Sequence, residues 1–467
     1  VTISSNEATR IIEAQVIGRL PTELRITIDT RRLVPGETYL ALRGTRFDGH
    51  AFIERAFRQG AAAAIVDTID QVPSGLPALL VKDTFAALLS LAALARRHFC
   101  GAIVGITGST GKTTTKALLA ELLCNAQLGG VAATPENENN EIGVSKLLLH
   151  LSNEATAIVE MGARHVGDIA TLTSIVQPHV AILTNTGEAH LEIFGSREAL
   201  IREKRQIFST GSRPILGIPE PIDPIFYASL KQTPYFFGID QEHRNLPAQD
   251  IAGAFFIERE HVLFIDVERR ERRFPYTITI PGDHNRRNLA AASAAAWALG
   301  LTPERLVEAL QCGVQLPNGR YQRHQTASGI TIIDDAYNAS PSGMIASLAT
   351  FAREPGRHII VLGSMAELGE SAASEHRRVG TVIGLQRPAL LLVGGQHASD
   401  VASAAHEAGL ASEAIRSFSN NEEAIAVLRS MLHQGDTVFI KGSRLYHLEE
   451  IVDALLAMAQ PSPEHPT

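Results

Sequence analysis

The stretch with the most chemistry in it is Gly108-Ser109-Thr110-Gly111-Lys112-Thr113-Thr114. Two glycines let backbone N–H groups turn inward, Lys112 adds a mobile positive charge, and Thr113 offers a hydroxyl to magnesium. Those are the parts of a loop that holds nucleotide phosphates. Only Ser109 and Thr110 separate the glycines, so the spacing departs from the strict GxxxxGK[ST] pattern, and a chance glycine-rich turn is the alternative. The surroundings argue against chance. Ala102 to Thr107 is strand-like, and Lys112 to Cys124 carries Leu118, Leu119, Leu122 and Leu123 at helical spacing. Strand, glycine loop and helix is the order that aims the positive end of a helix at phosphate. An ATP-dependent enzyme is expected.

Three further residues stand near such a loop. Glu160 ends the strand-like run Ala155 to Glu160, at the edge where parallel sheets place ligands. A carboxylate there could bind magnesium, which takes one or two protein carboxylates beside water and phosphate oxygens. The alternative is a surface glutamate capping a helix. Asn185 to Glu192 follows another strand candidate, His179 to Thr184, and brings His190 toward the same edge. A lone histidine is more often structural than a ligand, so spacing leaves His190 open. Lys204, within Arg202-Glu203-Lys204-Arg205, reads by itself as part of a solvated helical face.

The elements that must hold these residues alternate between strand and helix. Helical patterns at Asp168 to Val176 and Arg197 to Phe208 fall between and after the strand candidates, which predicts a parallel sheet with crossover helices. Before it, Tyr39 to Leu42, Ala61 to Val66 and Ala78 to Val81 read as a small mixed α/β unit, followed by a helix over Thr84 to Arg97. The charged, alternating stretch from Arg244 to Tyr276 reads as antiparallel strands added to the central unit. Pro281-Gly282-Asp283 then turns into an alanine-rich helix, Asn285 to Leu299. After the linker Leu316-Pro317-Asn318-Gly319 the pattern restarts, with strands expected at Ile330 to Ile333, Ile359 to Leu362, Ala389 to Val393 and Thr437 to Ile440. The expected class is α/β, with domains over 1–84, 85–316 and 317–467, the last Rossmann-like. The length of 467 residues agrees, at roughly 150 residues per domain. The tail Gln460 to Thr467 reads as disordered.

Composition excludes several classes. With 45% hydrophobic and 20% charged residues the chain can build cores, yet its most apolar run, Phe85 to Ala95, is too short to span a bilayer. No amino-terminal segment has the build of a secretion signal, so a cytoplasmic protein is expected, and a monomer. A net charge of −8 without a basic block argues against a nucleic-acid surface. Cys100, Cys124 and Cys312 are far apart and lack CxxC spacing; they predict neither disulfides nor zinc, and read as small buried hydrophobes.

Taken together, Gly108 to Lys116 (GSTGKTTTK), Asn137 to Val144 (NENNEIGV), Glu160 to Ala163 (EMGA), Gly187 to Glu192 (GEAHLE), His284 to Asn288 (HNRRN) and Asp334 to Pro341 (DDAYNASP) resemble the Mur ligases of peptidoglycan synthesis, in particular the branch that adds D-alanyl-D-alanine. Asp29-Thr30-Arg31, the stretch Leu42 to His50 and Lys441-Gly442-Ser443-Arg444 carry the resemblance to both ends, in motif order. It implies three domains: one for the UDP-sugar end of the acceptor, a central ATPase, and a third that closes with the incoming amine. It also implies that the acceptor carboxylate attacks the γ-phosphate of ATP and that the amine then displaces phosphate from the acyl phosphate.

Carried over by position, the resemblance assigns Gly108 to Thr114 to the ATP phosphates and places Thr113 and Glu160 on one magnesium, Glu160 and His190 on a second. Lys204 matches a lysine that is carbamylated and, as an anion, supports the second magnesium; this reverses the solvated-face reading. His284, Asn285 and Asn288 match the adenine-binding turn, Arg320 an arginine that reaches the phosphates on closure, and Asp335 an aspartate near the nucleotide. Asp29, Thr30, Arg31, Arg46, Phe47, Asp48, Gly49, His50, Asn139 and Asn140 are implied on the UDP-N-acetylmuramoyl-tripeptide side, Tyr337 and Asn338 beside D-alanyl-D-alanine. Catalysis would rest on Lys112, Glu160, His190 and Lys204. The sequence departs from the family's usual pattern at Glu136, where glycine is common, at Ser145-Lys146, at Ser364 and at Leu445-Tyr446-His447. A related ligase with another acid or amine, or a non-catalytic nucleotide-binding regulator, are the alternatives; the amino-terminal segments disfavour the first, and Lys112, Glu160, His190 and Lys204 disfavour the second.

Overall fold

The computed structural model describes residues 1–44, 47–187, 194–218, 224–277 and 279–457. Three separate sheets account for the architecture, apart from one short antiparallel pair, Ile3–Ser4 with Glu23–Leu24.

The first sheet has five strands, β1 (Gln15–Ile17), β2 (Ile26–Thr27), β3 (Thr38–Leu40), β4 (Ala63–Val66) and β5 (Ala78–Leu80), in the order β1-β5-β4-β3-β2. All pairs are parallel except β1 with β5. Helix α1 (Thr84–His98) leaves this sheet, with the Asp83 carboxylate accepting from the N–H groups of Phe85 and Ala86. An N-cap of this kind satisfies donors that the first helical turn leaves free. Leu88, Leu91 and Leu94 of α1 pack on the first core, whereas Ala92 joins the next one.

The central sheet has nine strands: β6 (Ala102–Thr107), β7 (Val131–Ala133), β8 (Thr156–Glu160), β9 (Val180–Leu183), β10 (Arg213–Gly217), β11 (Tyr235–Ile239), β12 (Gly253–Ile257), β13 (His261–Ile265) and β14 (Glu271–Pro275). Their order is β14-β13-β12-β11-β10-β9-β6-β8-β7. The chain enters at β6, in the interior, and later strands are added on both of its sides. That is the switch point where a parallel sheet opens a crevice beyond its carboxyl ends. Strands β8, β9 and β12 are buried along their whole length, as expected of strands covered on both faces. On one face lie α2 (Lys112–Asn125) and α6 (Asp283–Ala298); the alanine run of α6 lets its backbone approach β10, β11 and β12. Helices α3 (Glu141–His150), α4 (Asp168–Val176) and α5 (Arg197–Arg205), with a short helix at Pro224–Ser229, supply other crossovers.

The third sheet is β15 (Gln322–Gln325), β16 (Thr331–Asp334), β17 (Arg357–Gly363), β18 (Leu390–Gly394), β19 (Ile415–Phe418) and β20 (Asp436–Lys441), ordered β15-β16-β20-β17-β18-β19. Only the β15–β16 pair is antiparallel.

Four expectations are corrected. The stretch from 244 to 276 is not wholly antiparallel: β12 runs parallel to β11, and only β13 and β14 turn back. The signal there was misread because β12 is buried on both faces rather than alternating. Strands β1, β2, β7, β10, β11, β15 and β19 were not anticipated; β15 and β19 are polar edge strands, whose exposed positions blur the period of two. All three cysteines are exposed, each at or just beyond the last turn of a helix. The pattern over Arg197 to Phe208 tightens into a 3₁₀ turn at Gln206–Phe208. Among the described residues no helix is long and apolar enough to cross a membrane.

Candidate active site

A cavity of about 970 Å³ opens beyond the carboxyl end of β6 and is lined by the phosphate loop, the ends of β8 and β9, the start of α6, and residues of the third sheet's unit. Gly111 caps α2 with φ +81°, in the left-handed region, and a Cβ there would collide with Oδ1 of Asn288 on α6. Only glycine suits both demands. Gly108, at φ +150°, has Thr184 in the same relation. The loop is clamped from the end of β9. Asn185 accepts from Ser109 N–H through its backbone at 3.0 Å and from Thr110 N–H through Oδ1 at 3.2 Å. Its Nδ2 donates to the Thr110 carbonyl at 3.0 Å, as Thr184 Oγ1 does at 2.6 Å. Lys112 Nζ donates to the Gly108 carbonyl at 2.8 Å. Burial lowers the Lys112 ammonium below the ordinary lysine range, with Glu160 pulling the other way. Thr113 and Thr114 line the cavity.

Glu160, the last residue of β8, is 1% exposed. Its Oε1 accepts from Asn139 Nδ2 at 2.9 Å, while Oε2 lies 3.1 Å from Lys116 Nζ and has no aligned hydrogen bond among the described residues. Burial alone would raise this carboxyl, but Lys116 and Lys112, with the Asn139 amide, outweigh it and hold it below the ordinary range. Lys116 is itself buried one turn into α2 and donates to the carbonyls of Thr134 at 2.7 Å and Glu136 at 2.6 Å. A buried, ionised, incompletely bonded carboxylate beside a threonine hydroxyl loop fits magnesium, which needs few protein ligands when phosphate oxygens supply the rest. Among the described residues no three histidine, cysteine, aspartate or glutamate side chains cluster as a metal cage. His190 lies outside the described residues.

Lys204 is not on a solvated face: it is 2% exposed and lines the cavity. Burial brings its pKa down to about 7, Lys112 adding like-charge repulsion and Glu203 opposing. Helix α5 is held in place by Glu203, whose carboxylate accepts from the N–H groups of Gly167 at 2.9 Å and Ile169 at 2.8 Å, at the start of α4. A carboxylate at a helix N-terminus is favoured by the dipole as well as by those donors.

From α6, His284, Asn285 and Asn288 face the cavity. His284 is half-buried, its Nδ1 is enclosed with no partner among the described residues, and burial drops its pKa to about 4, so the ring is neutral. From the other side come Arg320, Asp335, Tyr337 and Asn338. The Arg320 guanidinium stands 4.3 Å from the centre of the Tyr337 ring. Asp335 accepts through Oδ2 from Lys441 Nζ and from Ser347 Oγ, both at 2.6 Å. Arg444 donates to the Tyr337 hydroxyl at 3.0 Å and to Glu136, on the central unit, at 3.1 Å.

The amino-terminal residues are gathered elsewhere. Arg31 pairs with Asp29 at 2.7 Å, and His50 Nδ1 with Asp48 at 2.7 Å, while Thr30 and Gly49 are buried and Phe47 is exposed. Tyr39, which donates to the Gly49 carbonyl, is pushed up to about 12 by burial, with Asp29 and then Asp48 adding to it. Both aspartates therefore lie near one ring. None of these residues lines the central cavity, and Arg46 lies outside the described residues. Asn140 does not line it either; its Oδ1 caps α3 by accepting from Gly143 N–H at 3.0 Å.

Sequence reasoning passed over Lys116, Asn185 and Lys441. Lys116 was within a quoted motif, four residues after Lys112, and that helical spacing was the available signal. The departures divide. Ser364 is buried, donating to the Gly394 carbonyl at 3.3 Å and accepting from His397 N–H at 3.0 Å. Ser145 Oγ is buried without a partner among the described residues, Lys146 pairs with Glu138 at 2.8 Å, and Leu445 lines the cavity, 72% exposed.

Comparison with known proteins matches three stretches to Mur ligase families: residues 25–93 to "Mur ligase family, catalytic domain", 106–296 to "Mur ligase middle domain" and 319–444 to "Mur ligase, glutamate ligase domain". The chain is 36% identical over 436 residues to the UDP-N-acetylmuramoyl-tripeptide--D-alanyl-D-alanine ligase of Synechocystis sp., with 92% of each chain covered. It superposes on MurF from Acinetobacter baumannii with a TM-score of 0.81 at 29% identity, over 98% of this chain and 99% of that one. It superposes on MurF from Thermotoga maritima, solved with ADP, with a TM-score of 0.75 at 28% identity, over 93% and 97%.

Proposed function

The chain belongs to the Mur ligase family, and on that premise we propose that it joins D-alanyl-D-alanine to UDP-N-acetylmuramoyl-tripeptide at the expense of ATP, forming ADP and phosphate in peptidoglycan precursor synthesis. The observation that carries this reading is the convergence of a clamped phosphate loop, a buried ionised Glu160 and a buried Lys204 on one cavity whose far wall belongs to a different sheet.

A carboxylate is a poor acyl donor and repels an anionic phosphate. Lys112 and the loop N–H groups, aimed along α2, offset that repulsion while the acceptor carboxylate oxygen attacks the γ-phosphorus and ADP departs. The product is an acyl phosphate. The amine nitrogen then attacks its carbonyl carbon; as the tetrahedral intermediate collapses, phosphate leaves with the C–O bonding pair and the nitrogen loses a proton. Holding three reactants in one cavity supplies much of the rate. Thr113, Glu160 and, in the reading by family, His190 are the residues that would hold magnesium. When bound, that ion neutralises charge on the phosphates.

Lys204 is read as a carbamate. With a pKa near 7, much of its amine is neutral at physiological pH and free to add to carbon dioxide, forming an N–C bond and releasing a proton. The resulting anion suits a site in which Lys112 repels the cation. His284, Asn285 and Asn288 are assigned to the adenine, Arg320 and Asp335 to the nucleotide, and Tyr337 and Asn338 to the dipeptide. Asp29 to Arg31 and Phe47 to His50 are assigned to the UDP-sugar, on a domain ending near residue 84; the third domain begins near residue 317. ATP is a cytoplasmic phosphate donor, which supports the cytoplasm as the place of action. Phosphate release that depends on both the UDP-tripeptide and D-alanyl-D-alanine is the test.

A further inference from the structure

An amine that carries its own carboxylate has to be held by a cation on the wall it docks against. Among the described residues that the third unit contributes to the cavity, most cations are engaged within that unit. Lys441 is bound by Asp335, and Arg320 lies over Tyr337, where the family reading uses it for phosphate. Arg444 is different. Its charge is met by Glu136, which belongs to the central unit and reaches across the cavity's rim.

That pair has the character of a stand-in. Both side chains are substantially exposed, 48% and 68%, so the contact is solvated and weak. Glu136 holds a left-handed backbone, φ +36°, that costs a glutamate more than a glycine. Its backbone carbonyl is fixed by Lys116, which leaves its side chain, and not its position, free to let go. The group beneath is prepared for an anion. Arg444 donates to the Tyr337 hydroxyl, so that hydroxyl retains its own proton to donate; burial keeps it protonated, raising its pKa against the influence of Arg444 and Arg320. A guanidinium and a phenol then present two adjacent donors, the arrangement that grips one carboxylate.

We propose that Arg444, with the Tyr337 hydroxyl, is the receptor for the terminal carboxylate of the incoming amine, and that the carboxylate of Glu136 occupies it until that substrate displaces it. The inference rests on the proposed amide-ligase reading and names the group on the amine that is recognised. Glu136 thereby acts as an internal competitor that raises the KM for the amine.

The experiment measures phosphate release by the full-length protein at saturating ATP and UDP-tripeptide, titrating D-alanyl-D-alanine or its C-terminal carboxamide. Wild-type protein is expected to use the carboxamide with a KM about tenfold or more higher, the loss of one charge-assisted contact. Arg444→Ala should raise KM for the acid by a similar factor with a smaller change in kcat, and leave KM for the carboxamide nearly unmoved. Arg444→Lys should recover part of the loss, and Glu136→Gln should lower KM for the acid alone. Equal effects of Arg444→Ala on acid and carboxamide, or no effect on either, would overturn the assignment. Should another amine turn over in place of this dipeptide, the substrate reading fails on that ground, and the same acid-against-amide comparison on that amine still decides the role of Arg444.

Discussion

The ammonium of Lys116 lies 3.1 Å from Oε2 of Glu160, and both side chains are buried, 7% and 2% exposed. The pair joins the first helix of the phosphate loop to the strand end that carries the carboxylate. Because Lys116 also ties down the Thr134 and Glu136 carbonyls, it fixes the wall against which Glu160 stands.

Removing Lys116 therefore acts on both stability and ionisation. Lys116→Met removes the nearest charged partner of a buried carboxylate and leaves it only the Asn139 amide and the field of Lys112, a loss of up to about 3–5 kcal/mol. Glu160 is held below its ordinary pKa in the folded protein, so its contribution is present above the unfolded-state value and lost as pH falls through the folded one. Without Lys116 its pKa rises, and the acidic limb of the phosphate-release profile should move to higher pH. A thermal melt and a pH–rate profile check this; an unmoved limb at lowered stability would assign Lys116 to packing alone.

Lys204→Ala should lower phosphate release roughly 100-fold, the scale of losing a group that supports a metal ligand set. A short-chain carboxylic acid should restore part of it. Carbon dioxide removal should silence the wild-type protein, and at a fixed concentration of dissolved carbon dioxide it should revive faster above pH 7 than below, because the neutral amine forms as pH rises through about 7. The unmodified protein should also gain stability with pH above that point, since the unfolded chain holds a proton there that the folded one does not. Full activity of the alanine variant would remove the carbamate from the account.

Gly111→Ala should abolish ATP use. It forces a side chain into the left-handed region, at a cost of about 1–3 kcal/mol from the backbone alone, and drives it into Asn288. Adding Asn288→Ala relieves the collision but not the backbone, so the double variant should regain thermal stability without regaining nucleotide binding, measured by calorimetric titration with ADP.

Glu203→Ala withdraws the acceptor for two N–H groups at the start of α4, about 1–3 kcal/mol. Since α5 carries Lys204 on the next residue, bicarbonate-dependent activity should fall with it. A lowered melting temperature at unchanged bicarbonate dependence would show that α5 keeps its place by other contacts.

The phosphate loop and Glu160 were legible in the sequence because each sits at a strand end announced by its own hydrophobic run. Lys116 and Lys204 were not. Both are lysines on helices, which local pattern assigns to water; what buries them is the fold of residues 134 to 136 over one and the packing of α5 against α4 over the other. Asn185 was hidden for a related reason. It clamps Ser109 and Thr110 only because β9 lies beside β6, a pairing between segments more than 70 residues apart that no local window contains. Asn140 has a structural duty the motif did not announce: it caps α3, as asparagine before a hydrophobic run often does.

The measurement that bears most directly on the account is phosphate release by the purified protein with ATP, offered UDP-tripeptides and amines singly and together. Release that needs both the UDP-N-acetylmuramoyl-tripeptide and D-alanyl-D-alanine, in one-to-one proportion with the amide formed, is the expected result. Release with ATP alone, or brisk turnover with another amine and none with this dipeptide, would contradict it.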